Sequence, residues 1–255
     1  MEEAQSKPEN KGLSGSTLKI IAMVTMLIDH IGASLLENGV MQTVVSDSVM
    51  DAQISSLKYF TMWSAVDKVM RGIGRISFPI FCFLLIEGFV HTRDWKKYAG
   101  RMLLFGVVSE VPFDLAFFKD VWYVRHQNVF FTLFIGILVL AGIRYIEQKD
   151  NFSVQLKWLL VIITTALGMT AAQLLHTDYG AFGVFAIVGL YLLRGNKTRQ
   201  TIFGCVAFLW EWTAPIAFIP IHFYNGKRGI SLKYVFYVFY PAHLLILGLL
   251  TKFCF

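Results

Sequence analysis

Charge is scarce in this chain. Asp, Glu, Lys and Arg make up 16% of the 255 residues, against 56% hydrophobic residues. A soluble protein of this length would surround one or two cores with a charged surface. Here long apolar runs alternate with short Lys/Arg clusters and leave no room for a soluble domain. The chain therefore reads as all-α, a polytopic transmembrane helical bundle. Cysteine is also sparse: Cys82, Cys205 and Cys254 lie in apolar runs at unrelated spacings. That excludes a disulfide framework and a cysteine metal motif, and no metal is expected. A Gly-rich phosphate loop and a serine nucleophile motif are missing too, and the glycines of RGIGR do not make a nucleotide site. The net charge of +6 comes from Lys and Arg at the ends of apolar runs, where membrane orientation calls for them. No nucleic-acid partner is expected.

Residues 1–17 mix Glu2, Glu3 and Glu9 with Lys7, Pro8 and Lys11, which predicts a disordered cytoplasmic tail. Residues 18–255 then form a single transmembrane domain. The first apolar run is interrupted by Asp29–His30, unlike a cleaved signal, and should act as an uncleaved anchor. Predicted spans cover 18–36, 73–91, 102–118, 127–146, 155–175, 179–194, 198–212 and 232–252. Residues 37–57 read as a polar loop with Asp47 and Asp51, and 58–72 as an interfacial amphipathic helix. Pro79 should kink or thin the second span. The piece 213–223, with Pro215 and Pro220, is a broken, re-entrant or ninth crossing, so the count is eight to nine.

A cytoplasmic N-terminus puts most basic loop residues on one side, including Arg93, Lys96, Lys97, Arg101, Arg144, Lys149, Arg194, Lys197, Arg199, Lys227, Arg228 and Lys233. Lys58, Lys68, Arg71, Lys119 and Arg125 fall opposite. The expected location is the plasma (inner) membrane, with the lipid bilayer as the first partner.

The stretch KIIAMVTMLIDHIG, Lys19–Gly32, carries the strongest chemical signal. Eleven helical steps bring Lys19 and His30 to within ~20° of one face and ~16 Å apart along the axis. A cation at the membrane edge thus sits on the same face as an imidazole about three turns deeper. Ionisable groups are costly in hydrocarbon, so an intramembrane Asp–His pair marks a functional site by default. His30 is the candidate general base, because a free imidazole titrates near ~6.5 and exchanges protons close to neutrality. Asp29 points to another helix face and should meet a neighbouring helix through Arg71 or Arg75. Glu87, Glu110 and Asp114 read equally as internal ion-pair partners or as substrate contacts. Asn128, Thr132 and Tyr240 can hydrogen-bond a substrate. His243, three residues after Tyr240, reads as a satisfied polar contact between helices. His126, His176 and His222 lie near span ends and read as solvated.

These features occur within a set of segments: LKIIAMVTMLIDHIG, RGIGRISFPIFCFLLIEGF, YAGRMLLFGVVSEVPFDL, NVFFTL, DYGAFG, YNGKRG and FYPAHLLIL, in this order. As a set they resemble the TraX family over residues 17–251, outside the 38–58 loop and the tails. That family is named for the conjugation protein that acetylates the N-terminus of F-type pilin. It is similar to the wider group that includes acyltransferase family three and the lysosomal heparan-glucosaminide acetyltransferase. In acyltransferase family three an Arg, ten residues and a His on the first helix carry catalysis. Here Lys19 stands in the place of the Arg, keeping the charge and losing the bidentate fork.

The resemblance implies an acetyl-CoA-dependent membrane acetyltransferase with His30 as base and Asp29 beside it. On this reading Lys19, Arg75, Arg101 and Arg228 should attract the CoA phosphates. Glu87, Glu110, Asp114, Asn128 and Tyr240 are then the expected contacts to an amine or hydroxyl of a protein, peptide or glycan acceptor. Two other classes stay open on the residues alone. A proton-coupled transporter or flippase would use the intramembrane carboxylates as a relay, and a non-catalytic membrane assembly protein would not need His30.

Overall fold

The computed structural model describes residues 12–43, 54–231 and 233–255. Residues 1–11 of the expected tail, the loop residues Asp47 and Asp51, and the side chains of Lys58 and Lys233 lie outside the described part. The described residues are helical, with two isolated bridges and no strand.

The helices are α1 (Gly15–Ile31), α2 (Ile54–Gly74), α3 (Ser77–His91), α4 (Trp95–Phe118), α5 (Val129–Glu147), α6 (Val154–Leu174), α7 (Gly180–Leu192), α8 (Lys197–Ala207), α9 (Phe218–His222) and α10 (Lys233–Cys254). A π-helical segment, Gly32–Met41, extends α1. Short polar side chains start the helices by accepting from backbone N–H groups of the first turn. Ser14 caps α1, Asp94 α4, Asn128 α5, Ser153 α6 and Asn196 α8. Pro79 lies in the first turn of α3, where no intrahelical N–H is required, so it marks the α2–α3 break rather than a mid-span kink.

Five helical stretches are long and apolar enough to cross a membrane: Gly15–Met41, Tyr59–His91, Val129–Glu147, Val154–Leu174 and Tyr234–Cys254. The chain is an integral membrane protein on that basis, but eight to nine spans are not found. Three physical reasons account for the difference. First, α7, where the span 179–194 was expected, has 13 residues, about 20 Å, which is shorter than the hydrocarbon thickness. Second, α4 is 24 residues long but carries Lys96, Lys97, Arg101, Glu110 and Asp114. Third, α8 has 11 residues, about 16 Å, which is roughly half the hydrocarbon thickness. After α8 the chain turns back through a 3-10 turn at Ala214–Ala217 and α9, so that Thr201 and His222 meet at 3.3 Å. Residues 197–222 thus form a half-depth helical hairpin. Its tip packs on the end of α2, where Thr213 donates to the Gly72 carbonyl at 2.6 Å.

The interfacial helix is likewise replaced. α2 runs antiparallel along the second half of α1 and the π-segment. Residues 37–41, read as the start of a loop, belong to the π-segment. Asn38 is anchored there by donating to the Phe117 carbonyl at 2.8 Å, and Glu37 by Arg71. At the centre α1, α3, α4 and α10 enclose the site, with α10 lying lengthwise on α4. α5 and α7 complete the core, which is rich in Phe, Ile and Leu. α6 is peripheral and leaves Leu159, Ile162, Ile163 and Leu167 exposed, as a surface against lipid tails allows.

One end of the bundle collects the basic loops. Gly15 N donates to the Lys227 carbonyl at 2.8 Å, Lys197 Nζ to the Tyr224 carbonyl at 3.2 Å, and Arg194 reaches Glu147 at 3.5 Å. We term this the basic face. The opposite face carries the loop 119–128 and the turn 175–179, which pair through Gln127 and Thr177.

The hairpin gives a direct test. Single cysteines placed at Gly195 and Lys227 in a cysteine-free background should react with an impermeant maleimide from the same side of sealed vesicles. Labelling from opposite sides would make 197–222 a full crossing.

Candidate active site

His30 sits at the last turn of α1, where its ring meets Phe117 of α4 edge-on at 5.2 Å and Tyr240 of α10 at 6.0 Å. Its Nδ1 lies 2.7 Å from Nε2 of His243, and His243 Nδ1 lies 2.7 Å from the carbonyl of Phe239. A carbonyl only accepts, so His243 carries its hydrogen on Nδ1 and presents Nε2 as an acceptor. His30 must then donate from Nδ1. Its Nε2 is left with a free lone pair, the tautomer a general base or nucleophile requires. His243 is an interhelical polar contact, as its sequence position indicated, and its partner is His30 itself.

On the other side of His30, Asp29 Oδ2 lies 3.9 Å from Nε2 and accepts from Arg71 Nη1 at 2.7 Å. Asp29 therefore does meet α2, through Arg71. Arg71 also reaches Glu37 at 3.4 Å. Gly74 of α2 permits this approach, since a Cβ there would overlap the Asp29 side chain. When Nε2 takes up a proton, the nearby carboxylate favours the imidazolium.

Asp29, His30, Arg71 and Gly74 line a cavity of about 170 Å³ toward the opposite face, together with Arg75, His126, Asp178, Tyr179 and Tyr240. Arg75 was expected at the donor phosphates. Instead it pairs with Glu211 of the hairpin tip at 3.0 Å, far from Lys19, because α2 ends beside Asp29 rather than at the basic face. His126 was read as solvated. It lines this cavity, half-exposed, with Nε2 3.9 Å from Asp178 Oδ1. The neighbouring Asp178 carboxylate is the main cause that raises the His126 pKa above its ordinary value, with Glu110 and Asp114 adding smaller contributions.

A second cavity, about 570 Å³, opens on the basic face. Lys19, Arg101 and Arg228 all line it, with Tyr98, Phe236 and Tyr237 along its wall. Lys19 Nζ stands 5.5 Å above the Phe236 ring. None of the three cations has a carboxylate within ion-pair distance among the described residues. A volume in the usual small-molecule range, an apolar wall and unpaired cations at the mouth suit an elongated anionic ligand. Glu87 lines the same cavity beside Tyr224, whose hydroxyl burial, together with Glu87, pushes up to about 12.

The other expected substrate contacts divide. Tyr240 lines the smaller cavity. Asn128, Glu110 and Asp114 line neither cavity. Asn128 caps α5, donates to the Gly106 carbonyl at 2.8 Å and donates to Glu110. Asp114 accepts from Tyr123 N at 2.7 Å and so fixes the loop after α4. Thr132 is likewise internal, bonded to Thr177 at 2.8 Å. No group of metal-ligating residues occurs among the described residues.

The raised His126 pKa predicts a pH signature. Protonated His126 binds Asp178 across the two loops of the opposite face. The stabilisation is full below the unfolded-state value of about 6.5 and is lost as pH rises through the raised folded value. Asp178→Asn should therefore lower the unfolding temperature of detergent-solubilised protein more at pH 6 than at pH 9. An equal loss at both pH values would mean the pair does not titrate as described.

Comparison with known proteins bears on this arrangement. The family model described as TraX protein matches residues 14–251. The chain is similar to the protein named "Probable fimbrial assembly protein FimC, serogroup H1" of Dichelobacter nodosus, 29% identical over 270 residues. The match covers 93% of this chain and 96% of that one. No solved structure matches.

Proposed function

This chain belongs to the TraX family, and we propose that it is a membrane acetyltransferase moving an acetyl group from acetyl-CoA to an amine or hydroxyl of an envelope acceptor. The observation that carries the reading is the placement of His30. Its Nε2 lone pair faces one cavity, and on the other side of a shared aromatic wall lies a cavity lined by Lys19, Arg101 and Arg228. The N-terminus and the basic face lie in the cytoplasm of the plasma (inner) membrane, where acetyl-CoA is supplied. The three cations hold the CoA phosphates at the mouth, and the pantetheine arm lies along the aromatic wall.

In a direct transfer, His30 Nε2 takes the acceptor's N–H or O–H proton as the acceptor atom bonds the acetyl carbon. The C–S bond breaks, and the leaving CoA sulfur takes a proton, ultimately that held by the imidazolium. In a two-step transfer Nε2 itself bonds the acetyl carbon, CoA leaves as thiolate, and the Nδ1 proton shifts toward His243. The acceptor then displaces the imidazole, the proton on His243 returns to His30 Nδ1, and the acceptor's own proton leaves to the CoA thiolate. The small cavity at the opposite face would receive the acceptor, with Tyr240 and the Asp29–Arg71 pair in its wall.

The relative's name favours a second reading, a non-catalytic part in assembling fimbriae. The two readings join if the acceptor is a fimbrial or pilin subunit. They separate on His30. General-base catalysis contributes ~10²–10⁴-fold, so His30→Ala and His30→Asn should lower acetyl-CoA turnover by about that factor with donor affinity retained. Near-normal transfer in either variant would leave only the assembly reading.

His243 and Lys19 make different predictions. His243→Ala frees the His30 ring to take the wrong tautomer, so kcat should fall by roughly tenfold or more while KM for acetyl-CoA stays put. His243→Gln, which can still accept from Nδ1, should recover part of that loss. Lys19→Ala should instead raise KM for acetyl-CoA, and Lys19→Arg should restore it. The Lys19→Ala effect should shrink as salt is raised. Steady-state kinetics of thiol release separates the two patterns.

A further inference from the structure

We infer that Phe81 is the gate between the donor and acceptor cavities, and that its ring limits the acyl group passed to short chains. The inference rests on the acetyltransferase reading and deepens it. Among the described residues, Phe81 is the one side chain that lines both cavities. Lys19, Arg101 and Arg228 line only the larger, and His30 only the smaller. An acyl thioester anchored by its phosphates at the basic face therefore ends against Phe81, with His30 Nε2 on the far side of the ring. Chemistry at His30 requires the ring to turn aside.

The surroundings of Phe81 suit that movement. It stands on α3 close after the helix start, in the first two turns beyond the break at the end of α2. The ring is only 8% exposed and leans on Phe236 at 4.9 Å, tilted by 41°. Phe236 in turn lies under the Lys19 ammonium. The phosphate-binding cation and the gate thus touch the same ring, so a ligand that pulls on Lys19 also acts on the support of Phe81. Met26, an unbranched thioether that repacks easily, also lines the small cavity.

Gate closure has two consequences. It keeps water that enters from the opposite face off the thioester. It also presents an opening whose size is set by one ring, ahead of a cavity of about 170 Å³ already lined by ion-paired side chains. The turn of the ring makes and breaks no covalent bond. If it fails to close, water takes the acceptor's place. The C–S bond breaks, a C–O bond forms, and the products are a free carboxylate, the CoA thiol and a proton.

The test uses full-length purified protein in lipid nanodiscs with acetyl-, propionyl-, butyryl- and hexanoyl-CoA. Thiol release is measured with and without added cell-envelope membranes, and acyl incorporation into those membranes is followed with labelled donors. For wild type, each added methylene should cost at least about tenfold in membrane-stimulated thiol release. Phe81→Ala should flatten that dependence to within about threefold and raise thiol release without membranes severalfold. Phe81→Leu should fall between the two, and Phe81→Trp should slow even acetyl transfer. If Phe81→Ala does not fold, the Leu and Trp variants decide, since their profiles must shift in opposite directions. Wild-type acetyl transfer with an unaltered chain-length profile in the variants would overturn the gate and leave the acetyltransferase reading standing. A wild-type protein that binds acetyl-CoA but never releases thiol would remove both.

Discussion

The ion pair between Asp29 and Arg71 sets the geometry on which the site depends. Two charges inside an apolar bundle cost several kcal/mol each in desolvation, and breaking such a pair by removing one partner typically costs ~3–5 kcal/mol. At 2.7 Å the pair pins α1 to the end of α2. The close approach needs Gly74, because any Cβ there would occupy the place of the Asp29 side chain. Pinning Asp29 against α2 also aims its neighbour. The next residue of a helix points ~100° away, and for His30 that direction leads to α4 and α10, where Phe117, Tyr240 and His243 receive it. One ion pair thereby fixes both the height and the heading of the imidazole.

The partners of His30 differ in kind on its two sides. The charged belt of Asp29, Arg71, Glu37, Arg75 and Glu211 lies on the side of α2 and the hairpin tip. The relay on the α10 side is neutral throughout, from His30 to His243 to the Phe239 carbonyl. A carboxylate in the position of His243 would orient the ring equally well, but it would add an uncompensated buried charge. A neutral imidazole that itself leans on a backbone carbonyl fixes the tautomer without that penalty. It can also receive a proton when His30 becomes positively charged.

Much of the fold and the core of the site could be read along the chain because they are local. The Lys19–His30 spacing is a property of one helix, and the clustering of Lys and Arg in loops is a property of composition. What could not be read depends on residues distant in sequence. His243 is 213 residues from His30, and nothing near it distinguishes a relay from any other interhelical contact. Arg75 resembled a phosphate ligand because it carries the right charge near a span end. Only the antiparallel packing of α2 on α1 puts that end at the deep side of the bundle. The hairpin 197–222 looked like one or two spans because its composition is apolar, and its half-depth shows only in the return of His222 to Thr201. Asn128 and Glu110 looked like substrate contacts for the same reason that makes them structural: a polar group in an apolar setting must find a partner, and these two find each other.

The basic face calls for an anionic ligand. Lys19, Arg101 and Arg228 come from three separated segments, and like charges do not gather unaided. Backbone pairing brings Lys19 and Arg228 together. Leu13 bridges Tyr224, Gly15 and Ser16 donate to the carbonyls of Lys227 and Arg228, and Gly229 turns with φ of 69° over the hydroxyls of Ser14 and Ser16. The repulsion is thus held in place by hydrogen bonds, at a loop whose left-handed turn suits glycine. Elsewhere in the bundle, Arg71 and Arg75 are each matched by a carboxylate. A fold that neutralises its deeper arginines yet gathers three unmatched cations around one cavity, two of them by backbone pairing, leaves an excess of positive charge there. An anion entering from the basic face offsets it, and an anion with a long uncharged arm would reach from there to Phe81.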